Sequence, residues 1–226
     1  TCALPIWRTL AVGGQLVTFA GIYRDYEEVF LPLYGDYQSE NAAIALAAAE
    51  SFVGKALDEE LIKSGFASVT SPGRLEVVNS DPFILVDAAH NPDGAASLKR
   101  ALASEFDLAT KIAVISILGD KDVNSYFSEI AGVFDQIILT QNSSPRALQV
   151  AELEIIAKKY YPAEKISKDE KLSSAIDEAI TRANLLNQSS NYVNGVVITG
   201  SVFSVGEAKN YLRNRYGKLL SEENYI

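Results

Sequence analysis

Asp87 and His90 stand three residues apart in the run Asp87-Ala88-Ala89-His90-Asn91-Pro92, and His90 is the only histidine in the chain. A carboxylate can accept hydrogen bonds from hydroxyl groups or orient an imidazole. An imidazole serves near neutral pH as donor, acceptor or base. Their separation in a tight turn makes mutual orientation of the two side chains feasible. Each also has a plainer reading, Asp87 as a loop cap and His90 as a structural side chain.

The elements around the pair must present it at a strand end. Leu75–Val78 and Phe83–Val86 are apolar runs of strand length. Asn79-Ser80-Asp81-Pro82 between them is turn material, because Asn and Asp bond their own backbone and Pro fixes φ. Asn91 suits an N-cap, and Pro92 the first helical position, where its missing N–H costs nothing. A strand ending in a carboxylate, a histidine in the turn and then a capped helix is how α/β proteins build a ligand site.

The alternation continues. Helix Pro92–Glu105 leads to strand Lys111–Ile117 and helix Val123–Val133. Strand Gln136–Thr140 leads to helix Val150–Tyr160, then a helix from Lys171 to about Leu186. Strand Gly195–Thr199 opens onto helix Val202–Arg215. Short β-rich runs alternating with helices predict an α/β fold with a mostly parallel sheet covered on both faces. Polar loops at four strand ends, Asp87–Asn91, Gly119–Asp122, Gln141–Arg146 and Gly200–Ser201, would bring Asp87, His90, Lys121, Asp122, Arg146 and Ser201 towards one rim. Strand-end loops are polar in any case, and Ser201 reads equally well as the N-cap of the last helix.

Before Gly73 the pattern differs. Leu16–Phe19 and Glu28–Leu31 are β-prone and read as antiparallel strands. A helix is expected over Asp36–Val53, with Ile44, Ala45, Ala48 and Phe52 at helical spacing, and a shorter one from an Asp58 N-cap to about Ser64. Gly65–Gly73 reads as a domain boundary. The tail after Gly217 is polar and expected to fray.

Composition narrows the function classes. Net charge is −9, with 48% hydrophobic and 22% charged residues. That is ordinary globular composition, and it disfavours nonspecific binding to nucleic acid or an anionic membrane. No apolar run approaches the length of a membrane span. The single cysteine, Cys2, excludes an internal disulfide framework, reads as a bystander and fits a reducing cytoplasm. There is no methionine, even at position 1, so the chain is expected to be a fragment or a processed product, the fragment being favoured.

Pro72-Gly73-Arg74-Leu75-Glu76 followed by Asp87-Ala88-Ala89-His90-Asn91-Pro92 resembles the signature of the folylpolyglutamate synthase/dihydrofolate synthase family, within the Mur ligase superfamily. Three further segments match in family order: Gly35…Gln38…Asn41-Ala42-Ala43, Gly119-Asp120-Lys121-Asp122, and Thr199-Gly200-Ser201…Val205-Gly206-Glu207-Ala208.

The resemblance implies an ATP-dependent carboxylate–amine ligase that adds L-glutamate to folate or dihydropteroate through an acyl phosphate. It makes residues 71–226 the Rossmann-like C-terminal domain, and residues 1–70 the tail of an ATPase-type central domain. It makes Asn41, Arg74 and Asp87 ATP contacts, and Asp87, His90 and Ser201 catalytic-site residues. A bare sequence reading leaves Asn41 a helix-start residue and Arg74 a surface charge, and Lys121, Asp122 and Arg146 receive no role. No Gly-x-x-x-x-Gly-Lys-Ser/Thr phosphate cradle occurs. The Mg2+ ligands, like that cradle, are expected in an N-terminal portion outside the chain. The intact enzyme is expected to be a cytoplasmic monomer without nucleic-acid or membrane partners, and this fragment alone to be inactive. Other readings are a Mur-type ligase of peptidoglycan synthesis and a non-catalytic nucleotide-binding module.

Overall fold

Contacts divide the chain into two units, Thr1–Pro72 and Gly73–Ile226. The computed structural model describes residues 4–222, so Cys2 and the last residues of the tail lie outside the described residues.

In the first unit, β1 (Leu4–Ala11), β2 (Gly14–Ala20) and β3 (Asp25–Leu31) form an antiparallel sheet in chain order. β1 joins the two strands expected there. The helices α1 (Asp36–Val53) and α2 (Glu59–Ala67) follow. Val17, Phe19, Tyr26, Val29 and Leu31 of the sheet pack with Ala42, Ala43, Leu46 and Ile62. As expected, Asp58 caps α2, accepting the Leu61 N–H at 3.0 Å.

The buried face of α1 is not the expected one. Ile44 and Phe52 are 63% and 92% exposed, while Ala42, Ala43, Leu46 and Glu50 point inward. In a helix rich in alanine, apolar spacing decides the face weakly. Here a polar group helps decide it, because buried Glu50 accepts the Tyr26 hydroxyl at 2.8 Å and the Ile22 N–H at 2.5 Å. Burial, and then the Glu50 bond, push the Tyr26 pKa upward.

The second unit carries a six-stranded sheet of β4 (Glu76–Ser80), β5 (Phe83–Asp87), β6 (Thr110–Ile115), β7 (Gln136–Gln141), β8 (Ile166–Lys171) and β9 (Asn194–Thr199). The order is β4-β5-β9-β6-β7-β8. Only the β4–β5 pair is antiparallel; every other neighbouring pair is parallel. The last strand in sequence therefore sits between β5 and β6. Its register pairs Thr199 with Asp87 on one side and with Ile115 on the other, so three strand ends stop at one level.

Side chains alternate between the sheet's faces. Ile84, Val86, Ile112, Val114, Ile138, Val196 and Ile198 pack against α6 (Leu172–Ser189) and α7 (Val202–Tyr216). On the opposite face lie α3 (Pro92–Ser104), α4 (Val123–Glu129) and α5 (Val150–Ala157), which pack side by side. This is the expected mostly parallel sheet with helices on both faces.

Three details differ from the sequence reading. β8 is a strand no apolar run announces, because Ile-Ser-Lys-Asp-Glu-Lys lies at a sheet edge and is half-exposed. Helix α4 stops at Glu129, four residues before Val133, and Gly132 takes a left-handed φ of 73° just beyond it. The chain after Gly217 does not fray as far as residue 222. Leu219 is 1% exposed, and Glu222 pairs with Arg213.

Candidate active site

The Gly73–Glu76 turn carries Arg74 between two residues of unusual backbone conformation. Gly73 and Leu75, on either side of Arg74, both take left-handed φ values, 72° and 45°. A Cβ on Gly73 would lie 2.8 Å from Val205 Cγ1, so this position requires glycine for space as well as for conformation. A leucine at φ 45° is strained and persists only where its surroundings over-determine it. Those surroundings are explicit. The Leu75 N–H donates to Asp87 Oδ2 at 2.9 Å, the Ala88 N–H to the Gly73 carbonyl at 2.8 Å, and the Gly73 N–H to Glu76 Oε2 at 2.6 Å. Glu76 is in turn paired with Lys209 of α7. Arg74 itself is half-buried.

Asp87 ends β5 and is 4% exposed. Its second oxygen accepts the Ala89 N–H at 2.9 Å, so one carboxylate joins the Arg74 turn to the His90 loop. Burial raises its pKa, opposed by the N–H groups of Leu75 and Ala89 and by the charges of Arg74 and His90. His90 Nδ1 lies 2.8 Å from the Ala88 carbonyl. A carbonyl can only accept, so Nδ1 is the donor and Nε2 keeps its lone pair in the neutral ring. The imidazole is therefore oriented by backbone, not by direct contact with Asp87. Asp87 acts on it through the intervening peptide. Asn91 then caps α3, accepting the Gly94 N–H at 2.8 Å.

Ser201 is 2% exposed and caps α7, its Oγ accepting the Phe203 N–H at 3.1 Å. Its hydroxyl proton remains available as a donor. The preceding Gly200 has φ 106°, and a Cβ there would lie 2.5 Å from the Ser116 carbonyl. Beneath this loop lies a buried polar network that the sequence reading missed. Asn142 Nδ2 donates to Ser116 Oγ at 3.2 Å and to Ser204 Oγ at 3.0 Å, and the Tyr126 hydroxyl lies 3.2 Å from Thr199 Oγ1. The first set joins the ends of β6 and β7 to the first turn of α7, and the second joins the end of β9 to α4. Their partners are up to 73 residues apart, and only the strand-end polarity of Gln141–Arg146 hinted at them.

The remaining candidates belong to other loops of the second unit and to α1 of the first. Asp122 is the N-cap of α4, accepting the Ser125 N–H at 3.0 Å, which lowers its pKa. Asp120 lies 3.6 Å from Lys121 and 3.5 Å from Arg146, exposed pairs of small energetic weight. Asn41, in the first unit, is exposed on α1 with its amide 3.4 Å from Gln38 Oε1. A cleft of about 400 Å3 opens beyond β7, lined by Asn142 of the buried polar network and by Gln141, Ser143, Lys171, Glu207 and Tyr211. Among the described residues, no group of three or more His, Cys, Asp or Glu is placed to hold a metal ion, and no helix is long and apolar enough to cross a membrane.

Residues 73–202 match the family model described as Mur ligase, glutamate ligase domain. The chain is 41% identical over 212 residues to a dihydrofolate synthase/folylpolyglutamate synthase of Mycobacterium tuberculosis, covering 89% of this chain and 44% of that protein. A crystal structure of the Mycobacterium tuberculosis folylpolyglutamate synthase complexed with ADP and AMPPCP superposes with a TM-score of 0.90 at 40% identity, over 96% of this chain and 48% of that one. The folylpolyglutamate synthase of Thermotoga maritima gives 0.73 at 29% identity, over 97% and 48%. The chain thus spans a little under half the length of these relatives.

Proposed function

The chain belongs to the Mur ligase family, through its glutamate ligase domain, and from that premise we propose that it works in an ATP-dependent ligase joining L-glutamate to folate or dihydropteroate. In this reading residues 71–226 are the C-terminal domain, and residues 1–70 are the end of the central, ATP-binding domain. The acceptor carboxylate takes the terminal phosphoryl group of ATP. The α-amino nitrogen of glutamate attacks the resulting acyl phosphate, and an amide, ADP and phosphate are formed.

The observation that carries the proposal is the joint between the Arg74 turn and the His90 loop through the two oxygens of Asp87. It lies in a chain whose M. tuberculosis relative was crystallised with ADP and AMPPCP. The planar guanidinium of Arg74 suits phosphate oxygens. Asn41 is assigned a second contact to ATP. Asp87 sets the backbone on both sides and retains lone pairs for a ligand hydroxyl. His90 Nε2, with its lone pair unused by Ala88, accepts a proton from the attacking ammonium group. Ser201 donates its hydroxyl to a substrate carboxylate. ATP turnover of this kind takes Mg2+, but the described residues do not form a site for it, and no step is assigned to the metal. In the same reading the intact protein acts in the cytoplasm as a monomer.

The test is release of ADP by the intact protein. It should require glutamate together with a folate or pteroate acceptor. Turnover supported by a UDP-linked muramyl peptide and not by folates would overturn the proposal, as would nucleotide binding without any turnover.

A further inference from the structure

Glu76 and Lys209 are 133 residues apart in sequence and meet inside the second unit. Lys209 Nζ donates to both carboxylate oxygens, at 2.7 and 2.9 Å, and the two side chains are only 15% and 12% exposed, Lys209 first. A largely desolvated ion pair is a poor source of stability, since removing two charges from water costs about what their attraction returns. Its geometry indicates another role. Glu76 Oε2 also accepts the Gly73 N–H at 2.6 Å, so the carboxylate holds the turn that carries Arg74. Lys209 lies on α7, whose N-cap is Ser201, and Val205 of the same helix packs against Gly73. One helix therefore supports both the Arg74 turn and the Ser201 cap.

We propose that the Glu76–Lys209 pair is a positioning device that fixes the Arg74 turn on α7 and so sets the aim of the Arg74 guanidinium towards a bound phosphate. Neither residue is assigned a contact with substrate. The inference rests on the reading of Arg74 as a nucleotide contact. A hydrophobic pair could fasten the turn to the helix, but only an acceptor can hold the Gly73 N–H. A buried carboxylate holding it needs a cation beside it.

The experiment is a double-mutant cycle on the intact protein, reading KM for ATP and kcat, with thermal unfolding alongside. Lys209→Met should raise KM for ATP about tenfold, and Lys209→Arg should restore most of the loss. The double variant Arg74→Met/Lys209→Met should be no worse than Arg74→Met alone, because Lys209 acts through Arg74. Additive losses in the double variant, or an unchanged KM in Lys209→Met, would overturn the proposal while leaving the function reading in place. An unchanged KM in Arg74→Met would remove the reading of Arg74 and the proposal with it. Should Lys209→Met fail to fold, Glu76→Gln keeps an acceptor for the Gly73 N–H, loses the charge, and is read in the same cycle.

Discussion

Asp87 accepts the backbone N–H of Leu75, twelve residues earlier, at 2.9 Å, and this bond stabilises a leucine in left-handed conformation beside Arg74. The same carboxylate holds Ala89 on its other oxygen. Asp87 is thus a structural keystone of the site as well as a candidate ligand group, which separates it from His90 in what its removal should do. Sequence alone predicts that alanine at either position leaves the fold intact; the geometry predicts that for His90 only.

Replacing Asp87 by Asn retains one acceptor and turns an amide donor towards the other N–H. It should cost about 1–3 kcal/mol, the scale for leaving a buried polar group unpaired. The pH dependence has a definite sign. Folding raises the Asp87 pKa, so its contribution to stability is greatest below the unfolded value near 3.8 and is lost as pH rises through the folded value. In denaturant titrations, the stability gap between wild type and Asp87→Asn should shrink as pH increases from about 4. A gap that widens with pH would contradict this.

His90→Ala should behave in the opposite way. The ring makes one hydrogen bond, to Ala88, so its removal should cost only about 1 kcal/mol. Turnover of the intact protein should fall at least ~100-fold, a usual scale for losing a positioned acid–base group. Unchanged kinetics would return His90 to a structural role.

Gly200 and Gly206 provide a controlled pair. Gly200→Ala would place a Cβ 2.5 Å from the Ser116 carbonyl at φ 106°, and should destabilise by about 2 kcal/mol or more. Gly206 lies within α7, and a Cβ added there would meet nothing within 4 Å. Gly206→Ala should therefore stabilise by about 0.5–1 kcal/mol. Chemical denaturation of both variants checks the loop geometry without reference to activity.

Legibility in the sequence followed the range of the interactions. Asn91, Ser201 and Asp58 all cap helices, each bonded to an N–H two or three residues on, and helix starts of that kind announce themselves locally. The α/β alternation was equally plain, because the central strands are short apolar runs, as in Gly195–Thr199. Links that span the fold were not visible. Nothing near Asp87 names Leu75 as its partner, and Asn142 joins Ser116 to Ser204 across three elements. Lys209 reads as one more helix-surface lysine until α7 is docked. Strand β8 was hidden because a half-exposed edge needs no apolar run. The face of α1 was hidden because Glu50 is buried where Phe52 is not.

The central claim is tested most directly by following one oxygen. Folate or dihydropteroate labelled with heavy oxygen in the acceptor carboxylate is given to the intact protein with ATP, Mg2+ and glutamate, and both products are read by mass spectrometry. An acyl-phosphate ligase should yield an acceptor extended by one glutamate, together with phosphate carrying one labelled oxygen from that carboxylate. Unlabelled phosphate, or phosphate released without a glutamate-extended product, would contradict the account.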